Sequence, residues 1–209
     1  LMNILLAGKY FGKNQPLNQN LIKFLKNKKH KIYFVQKKYN IDFLIKKKIE
    51  LIINSGYGPI ISNKVLKKFH HKIVNMHNSY LPNGRGIYPN LWSIFCKYSS
   101  GITLCFVDDG IDTGDIIYQK KLRFNKDCTL KISWEKLQNE LEKELIKNFH
   151  LIYDKKKYKN QNKLKIKSSY HNRKYSEKLF NMLPDGWNSK HSDVQKIGKK
   201  FENSYEKLK

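Results

Sequence analysis

The sequence predicts an α/β fold built on a mostly parallel, Rossmann-like sheet, and three observations predict it. Short runs rich in Ile, Leu and Val recur at 2–7, 31–35, 51–54, 72–76, 102–107 and 115–119. Between the earlier runs, apolar residues fall at helical spacing, as Leu21, Phe24 and Leu25 do. The chemically versatile side chains gather where two of the runs end, the usual place for a site in an open α/β sheet.

In chain order, 2–7 reads as the first strand and 8–15 as a loop in which Gly8 and Gly12 serve turns. Their spacing lacks the glycine pattern of a dinucleotide or phosphate loop. A helix around 21–25, a strand at 31–35, a helix at 41–47 and a strand at 51–54 follow, and Ser62 is placed to cap a helix running through Phe69. The run 72–76 is a strand, 83–92 is loop and then helix, and Tyr88 and Trp92 read as packing residues. Strands at 102–107 and 115–119 precede a single helix from about 128 to 153. Its buried face would carry Leu130, Ile132, Trp134, Leu137, Leu141, Leu145, Phe149 and Ile152. The Lys/Asn-rich stretch 154–167 marks a boundary. It leaves a main domain, 1–155, and a short basic C-terminal segment, 156–209, as a lid, packing arm or dimer contact. His171 reads as a surface residue, and the last dozen residues as frayed.

Net charge is +25 over 209 residues, which ordinarily suggests nucleic acid or another acidic surface. Only Arg85, Arg123 and Arg173 are arginines, so 39 of the 42 basic residues are lysines. Arginine is the residue suited to bidentate phosphate and base contacts. A diffuse excess of Lys, Asn and Ile fits an AT-biased coding background better than a binding face, so no specific nucleic acid partner is expected. The runs are too short for a membrane span or a signal peptide, which gives the expectation of a soluble, cytoplasmic protein without a membrane partner. Cys96, Cys105 and Cys128 are odd in number and lack CxxC spacing, so neither a disulfide framework nor a metal site is expected.

Asn75 and His77 lie two apart at the end of the 72–76 run, a spacing that puts both on one face of a strand. Asp112 sits in the acidic loop after 102–107, so an amide, an imidazole and a carboxylate could converge. The amide can hydrogen-bond a carbonyl or oxyanion, the imidazole can carry a proton near neutral pH, and the carboxylate can hold that proton in place. Taken singly, Asn75 is also a strand or turn cap, His77 a half-buried polar residue, and Asp112 a turn residue.

The order Asn75-Met76-His77-Asn78-Ser79-Tyr80-Leu81-Pro82, then Arg85-Gly86, Pro89, Trp92, Gly101-Ile102-Thr103 and Asp109-Gly110-Ile111-Asp112-Thr113-Gly114-Asp115 resembles the folate-dependent formyltransferases. The likeness covers most of residues 2 to about 155, and the stretch 79–93 is most similar to the branch that formylates nucleotide-linked amino sugars. The resemblance implies a sheet of the formyltransferase type and 10-formyltetrahydrofolate as co-substrate, with no metal. It assigns Asn75, His77 and Asp112 to catalysis. Ile60, Ile61 and Leu66 would wall the folate pocket, with Val107, Asp108 and Asp109 on its other side. Ser79, Arg85 and Tyr88 are the substrate-side candidates, although Arg85 also reads as a surface salt-bridge residue. Cys105 stands where several members carry a second histidine.

The implied reaction moves a formyl group onto the primary amine of a nucleoside-diphosphate-linked amino sugar, for surface glycans, in a homodimer. The stretch after 154 is expected to leave no room for the large C-terminal domain of methionyl-tRNA formyltransferases. The first loop and the Asp112-Thr113-Gly114 sequence depart from the glycinamide ribonucleotide enzymes, which remain the alternative within the class. Outside it stand a folate hydrolase and a non-catalytic basic module that binds polyanions.

Overall fold

In the computed structural model, which describes residues 1–12 and 15–197, the early runs form strands β1 (Asn3–Ala7), β2 (Lys31–Val35), β3 (Leu51–Asn54) and β4 (Ile73–His77). Helices α1 (Gln19–Asn27), α2 (Ile41–Lys46) and α3 (Asn63–Lys68) connect them. Asn40 caps α2 by accepting the Phe43 N–H at 2.9 Å. Ser62 does hold the N-cap position of α3, but its hydroxyl makes no capping bond. After β4 come β5 (Arg85–Gly86), α4 (Pro89–Phe95), β6 (Gly101–Phe106), β7 (Ile116–Lys121), α5 (Leu130–Lys147), β8 (Tyr170–His171) and α6 (Arg173–Asn181).

Six strands form one sheet in the order β2-β1-β3-β4-β6-β7. Pairing is parallel from β2 through β4, and β6 lies antiparallel to β4. The sheet is therefore mostly parallel, as expected of an α/β fold with crossover helices. Alternation along the strands fills both faces: Leu5, Ala7, Ile52 and Ile73 join one apolar cluster with Leu44, Val65 and Phe69. Ile4, Leu6 and Ile53, one residue out of phase, are also fully buried.

The helix expected over 128–153 is shorter. It ends at Lys147 and gives way to a 3-10 turn, Phe149–Tyr153. The Asn148 amide donates to both the backbone oxygen and Oε2 of Glu144, each at 2.9 Å, a local side-chain bond that competes with continued helix. Ile132 falls off the buried face, 45% exposed, and Trp134 is half-buried.

Two compact units emerge, and their division does not fall at residue 155. One comprises 1–77, 103–119 and 138–164; the other comprises 78–102, 120–137 and, among the described residues, 165–197. The Lys/Asn-rich stretch belongs to the first unit as far as residue 164 because its backbone is hydrogen-bonded there. Lys159 and Ile116 exchange both N–H···O bonds at 2.9 Å. The chain passes from one unit to the other within the Lys/Asn-rich stretch, after residue 164, and backbone pairing makes the part before it an extra rung of structure.

In the second unit Leu91, Trp92, Ile94, Leu130, Leu179, Leu183 and Val194 form the core. Two-residue strands β5 and β8 pair in parallel, and a Cβ on Gly86 would fall 2.2 Å from the His171 carbonyl oxygen, at φ +96. His171 is not a surface residue: its ring stacks on Trp92 with centroids 3.8 Å apart and planes 7° from parallel. Trp92 in turn donates its indole N–H to Ser176 Oγ at 2.8 Å.

Burial pushes the His171 pKa down to about 4. An unfolded histidine titrates near 6.5, so between that value and about 4 the unfolded chain takes up a proton that the native ring refuses. The stability tied to this ring is full above pH 6.5 and falls as pH drops through that window. His171→Phe keeps an aromatic stack without the proton site. Urea unfolding at pH 7 and at about pH 4.5 should show the wild type losing ~1 kcal/mol more than the variant, after allowance for solvent screening. Equal losses would show that the ring does not resist protonation.

Among the described residues no helix is long and apolar enough to cross a membrane.

Candidate active site

The first unit brings the amide, imidazole and carboxylate together. Asn75 and His77 project from the same face of β4, at the end where the parallel strands finish. Asp112 reaches them from the loop between β6 and β7. Its Oδ1 accepts the Asn75 Nδ2–H at 3.0 Å and lies 3.7 Å from His77 Nδ1. The first is a hydrogen bond, and the second is a charge contact just beyond hydrogen-bond length. His77 is buried, 6% exposed, and the Asp112 side chain is 15% exposed, so the pair works in a medium where charge is weakly screened.

The loop achieves this reach through a backbone that ordinary residues avoid. Asp112 has φ +54, in the left-handed region that Asp tolerates better than most residues. Two residues on, Gly114 packs against β6 so closely that a Cβ would fall 2.1 Å from the Phe106 carbonyl oxygen. Asp108 organises the start of the loop. Its Oδ1 accepts the Thr113 hydroxyl at 2.6 Å and the Gly110 N–H at 3.2 Å. Asp108 is thus an Asx-type brace of the loop, while Asp109 is exposed.

Directly across from Asn75 in the antiparallel ladder is Cys105, fully buried and on the same face. Thr103 stands opposite His77, and its Oγ1 accepts the Gln119 amide at 3.0 Å.

Ile61, Leu66 and Val107 pack, partly buried, against the same apolar cluster, and Ile60 is left 85% exposed. At the end of β3, in register with Asn75, the side-chain oxygen of Asn54 is buried without a hydrogen-bond partner. Apolar side chains with an unsatisfied acceptor in register with Asn75 suit a flat, polar-edged ring such as a pterin.

The three substrate-side candidates, Ser79, Arg85 and Tyr88, lie in the second unit. Ser79 is fully buried, and its hydroxyl donates to the Asn83 carbonyl at 2.7 Å, so it pins the 79–84 turn. Tyr88, at φ +52, packs its ring on Phe180 and edge-on to Trp187, at centroid distances of 5.3 and 6.0 Å. That makes it a packing residue at the start of α4. Arg85 is half-buried on β5.

Gln161 and His71 also belong to the site, and no sequence motif marks them. Gln161 is 3% exposed and donates its amide to the backbone oxygens of Asp112, at 3.0 Å, and Gly114, at 2.8 Å. His71 Nε2 lies 3.3 Å from Asp115 Oδ2, and its ring packs on Phe106 and Tyr158. Burial and the neighbouring His70 lower the His71 pKa against the opposing pull of Asp115, so at neutral pH the contact is made by a neutral ring. Neither residue belongs to a periodic pattern that could have announced it.

Among the described residues no group of three or more His, Cys, Asp or Glu side chains is placed to hold a metal ion.

The formyltransferase PseJ from Anoxybacillus kamchatkensis, solved with UDP-4,6-dideoxy-4-formamido-L-AltNAc and tetrahydrofolate, superimposes with a TM-score of 0.80. The two are 32% identical, over 94% of this chain and 98% of that one. An N-formyltransferase from Helicobacter canadensis, solved with folinic acid and dTDP-3-aminofucose, shares the fold at a TM-score of 0.66 and 20% identity, over 98% of this chain and 82% of that one. Methionyl-tRNA formyltransferase from Finegoldia magna is 30% identical over 134 residues, which are 62% of this chain and 43% of that protein. The chain thus spans less than half the length of the curated relatives it matches. Residues 13–163, which include Asn75, His77, Asp112 and Gln161, match the formyl transferase family. With the sheet, the strand-end pair and the acidic loop all in agreement, the chain belongs to the formyl transferase family.

Proposed function

We propose that the protein transfers a formyl group from 10-formyltetrahydrofolate to the primary amine of a nucleoside-diphosphate-linked amino sugar. The observation that carries this reading is the single carboxylate oxygen of Asp112 shared by the Asn75 amide and the His77 imidazole. The likeness to PseJ along 98% of that chain supports the sugar class of acceptor. The wider proposal is a cytoplasmic homodimer serving surface glycan synthesis.

The folate would lie against Ile60, Ile61, Leu66 and Val107, and it supplies an electrophilic formyl carbon. The chain's own residues do the rest. Asn75 has two N–H donors; Asp112 takes one, and the other is available to the formyl oxygen as negative charge develops there. His77 accepts a proton from the attacking amine, and as an imidazolium it stabilises the same charge and returns a proton to the departing folate nitrogen. Asp112 steadies the charged ring and fixes its orientation. The formyl carbon gains a bond to the sugar nitrogen and loses its bond to the folate nitrogen, with no net change in protons.

A second reading, formyl transfer to an aminoacylated tRNA, is favoured by the curated relatives. Tetrahydrofolate release followed by absorbance separates the possibilities. The assay would run with no acceptor, with glycinamide ribonucleotide, with methionyl-tRNA and with a panel of nucleotide-linked 3-amino and 4-amino sugars. Release dependent on an amino sugar supports the proposal. Release with methionyl-tRNA or glycinamide ribonucleotide moves the protein to another branch, and release with no acceptor makes it a hydrolase. No release and no folate binding would leave a basic polyanion-binding module, recognised by a steep salt dependence.

A further inference from the structure

We propose that Gln161 is a positioning residue that holds Asp112 in its working conformation. The carboxylate of Asp112 meets Asn75 and His77 from a backbone at φ +54, a conformation that L-residues keep when their surroundings enforce it. Gln161 supplies that enforcement. Its Nε2 has two hydrogens, and they go to the carbonyl oxygens two residues apart on either side of Thr113, at 3.0 and 2.8 Å. One planar group bonded to both oxygens fixes the turn that carries the carboxylate.

Gln161 is itself held from behind. Its chain neighbour Asn160 donates to Asp115 Oδ1 at 2.9 Å, and the Asn160 side-chain oxygen accepts the Asn162 N–H at 3.0 Å, which starts the 3-10 turn Gln161–Lys163. Before that, Lys159 pairs with Ile116 through two backbone bonds. The other oxygen of Asp115 faces His71 at 3.3 Å, just ahead of β4. Residues 159–161 therefore run beside 112–116 and clamp it at three successive points. The amide at 161 is the one of these groups that touches the backbone of Asp112.

Two variants test this in the full chain. Gln161→Glu keeps shape and size but loses both donors, and Gln161→Leu removes polarity altogether. Hydrogen exchange followed by mass spectrometry should show the amides of 110–115 exchanging at least ~10-fold faster in both variants, while those of β1, β3 and β4 stay as in the wild type. The kinetic arm rests on the formyl-transfer reading. There kcat should fall by ~10- to 100-fold with KM for both substrates within about threefold, the mark of a misplaced catalytic group. Combined with Asp112→Asn, either variant should add less than about twofold, since residues acting through one another are not additive.

Unchanged exchange at 110–115 would overturn the proposal. So would full turnover despite faster exchange, or losses that add independently to Asp112→Asn. A wild-type protein that formylates no acceptor would refute the proposed reaction instead, and the exchange result would still decide whether Gln161 braces the loop.

Discussion

Replacing His77 with alanine, or Asp112 with asparagine, should lower kcat for formyl transfer by about 10²- to 10⁴-fold, the range for general acid-base and oxyanion groups. The two changes fail for different reasons. His77→Ala removes the proton carrier at the end of β4 and leaves Asn75 and Asp112 in contact. Asp112→Asn keeps an oxygen that can accept the Asn75 N–H at 3.0 Å but carries no charge to set against the imidazolium. Steady-state kinetics with circular dichroism as a folding control checks both. Turnover within about threefold of wild type in a folded variant would remove that residue from the chemistry.

Gly114→Ala should cost about 10²-fold in kcat, the scale of an ångström-level displacement of a catalytic group. It touches no substrate and adds one methyl. That methyl would sit 2.1 Å from the Phe106 carbonyl oxygen, which belongs to β6 and is anchored to β4 through the pairing of Phe106 with Val74. The sheet cannot give way, so the loop must, and Asp112 lies two residues upstream with its backbone oxygen bonded to Gln161. Thermal unfolding should report a loss of about 1 to 3 kcal/mol, as overpacking does elsewhere. Kinetics at a temperature well below the transition then isolates the catalytic part. Wild-type turnover would mean that the loop tolerates the shift.

Much of this site was legible because its parts obey simple periods. Asn75 and His77 are two residues apart on a strand, and the strand was visible as an apolar run. The alternation of strands and helices announced a mostly parallel sheet, although the antiparallel setting of β6 against β4 leaves no trace in composition. What stayed hidden depends on contacts distant in the chain. Gln161 is a single buried amide in a Lys/Asn-rich stretch, where composition marks a boundary and gives no sign of the backbone pairing of Lys159 with Ile116. The need for glycine at 114 arises from the approach of another strand, not from a turn signature. Ser79, a substrate-side candidate through the resemblance alone, is buried and donates to the Asn83 carbonyl, a bond that no pattern in the sequence announces. His171 looked like a surface ring and instead forms the stack on Trp92. The last dozen residues, expected to fray, lie outside the described residues.

The measurement closest to the central claim follows the formyl carbon itself. With 10-formyltetrahydrofolate labelled at that carbon with ¹³C, NMR of the reaction mixture should show the label arriving in a formamide on the nucleotide-linked amino sugar. Its appearance should depend on enzyme and be almost absent with His77→Ala. Label found only as formate, or left on the folate while the amine stays free, would contradict the account.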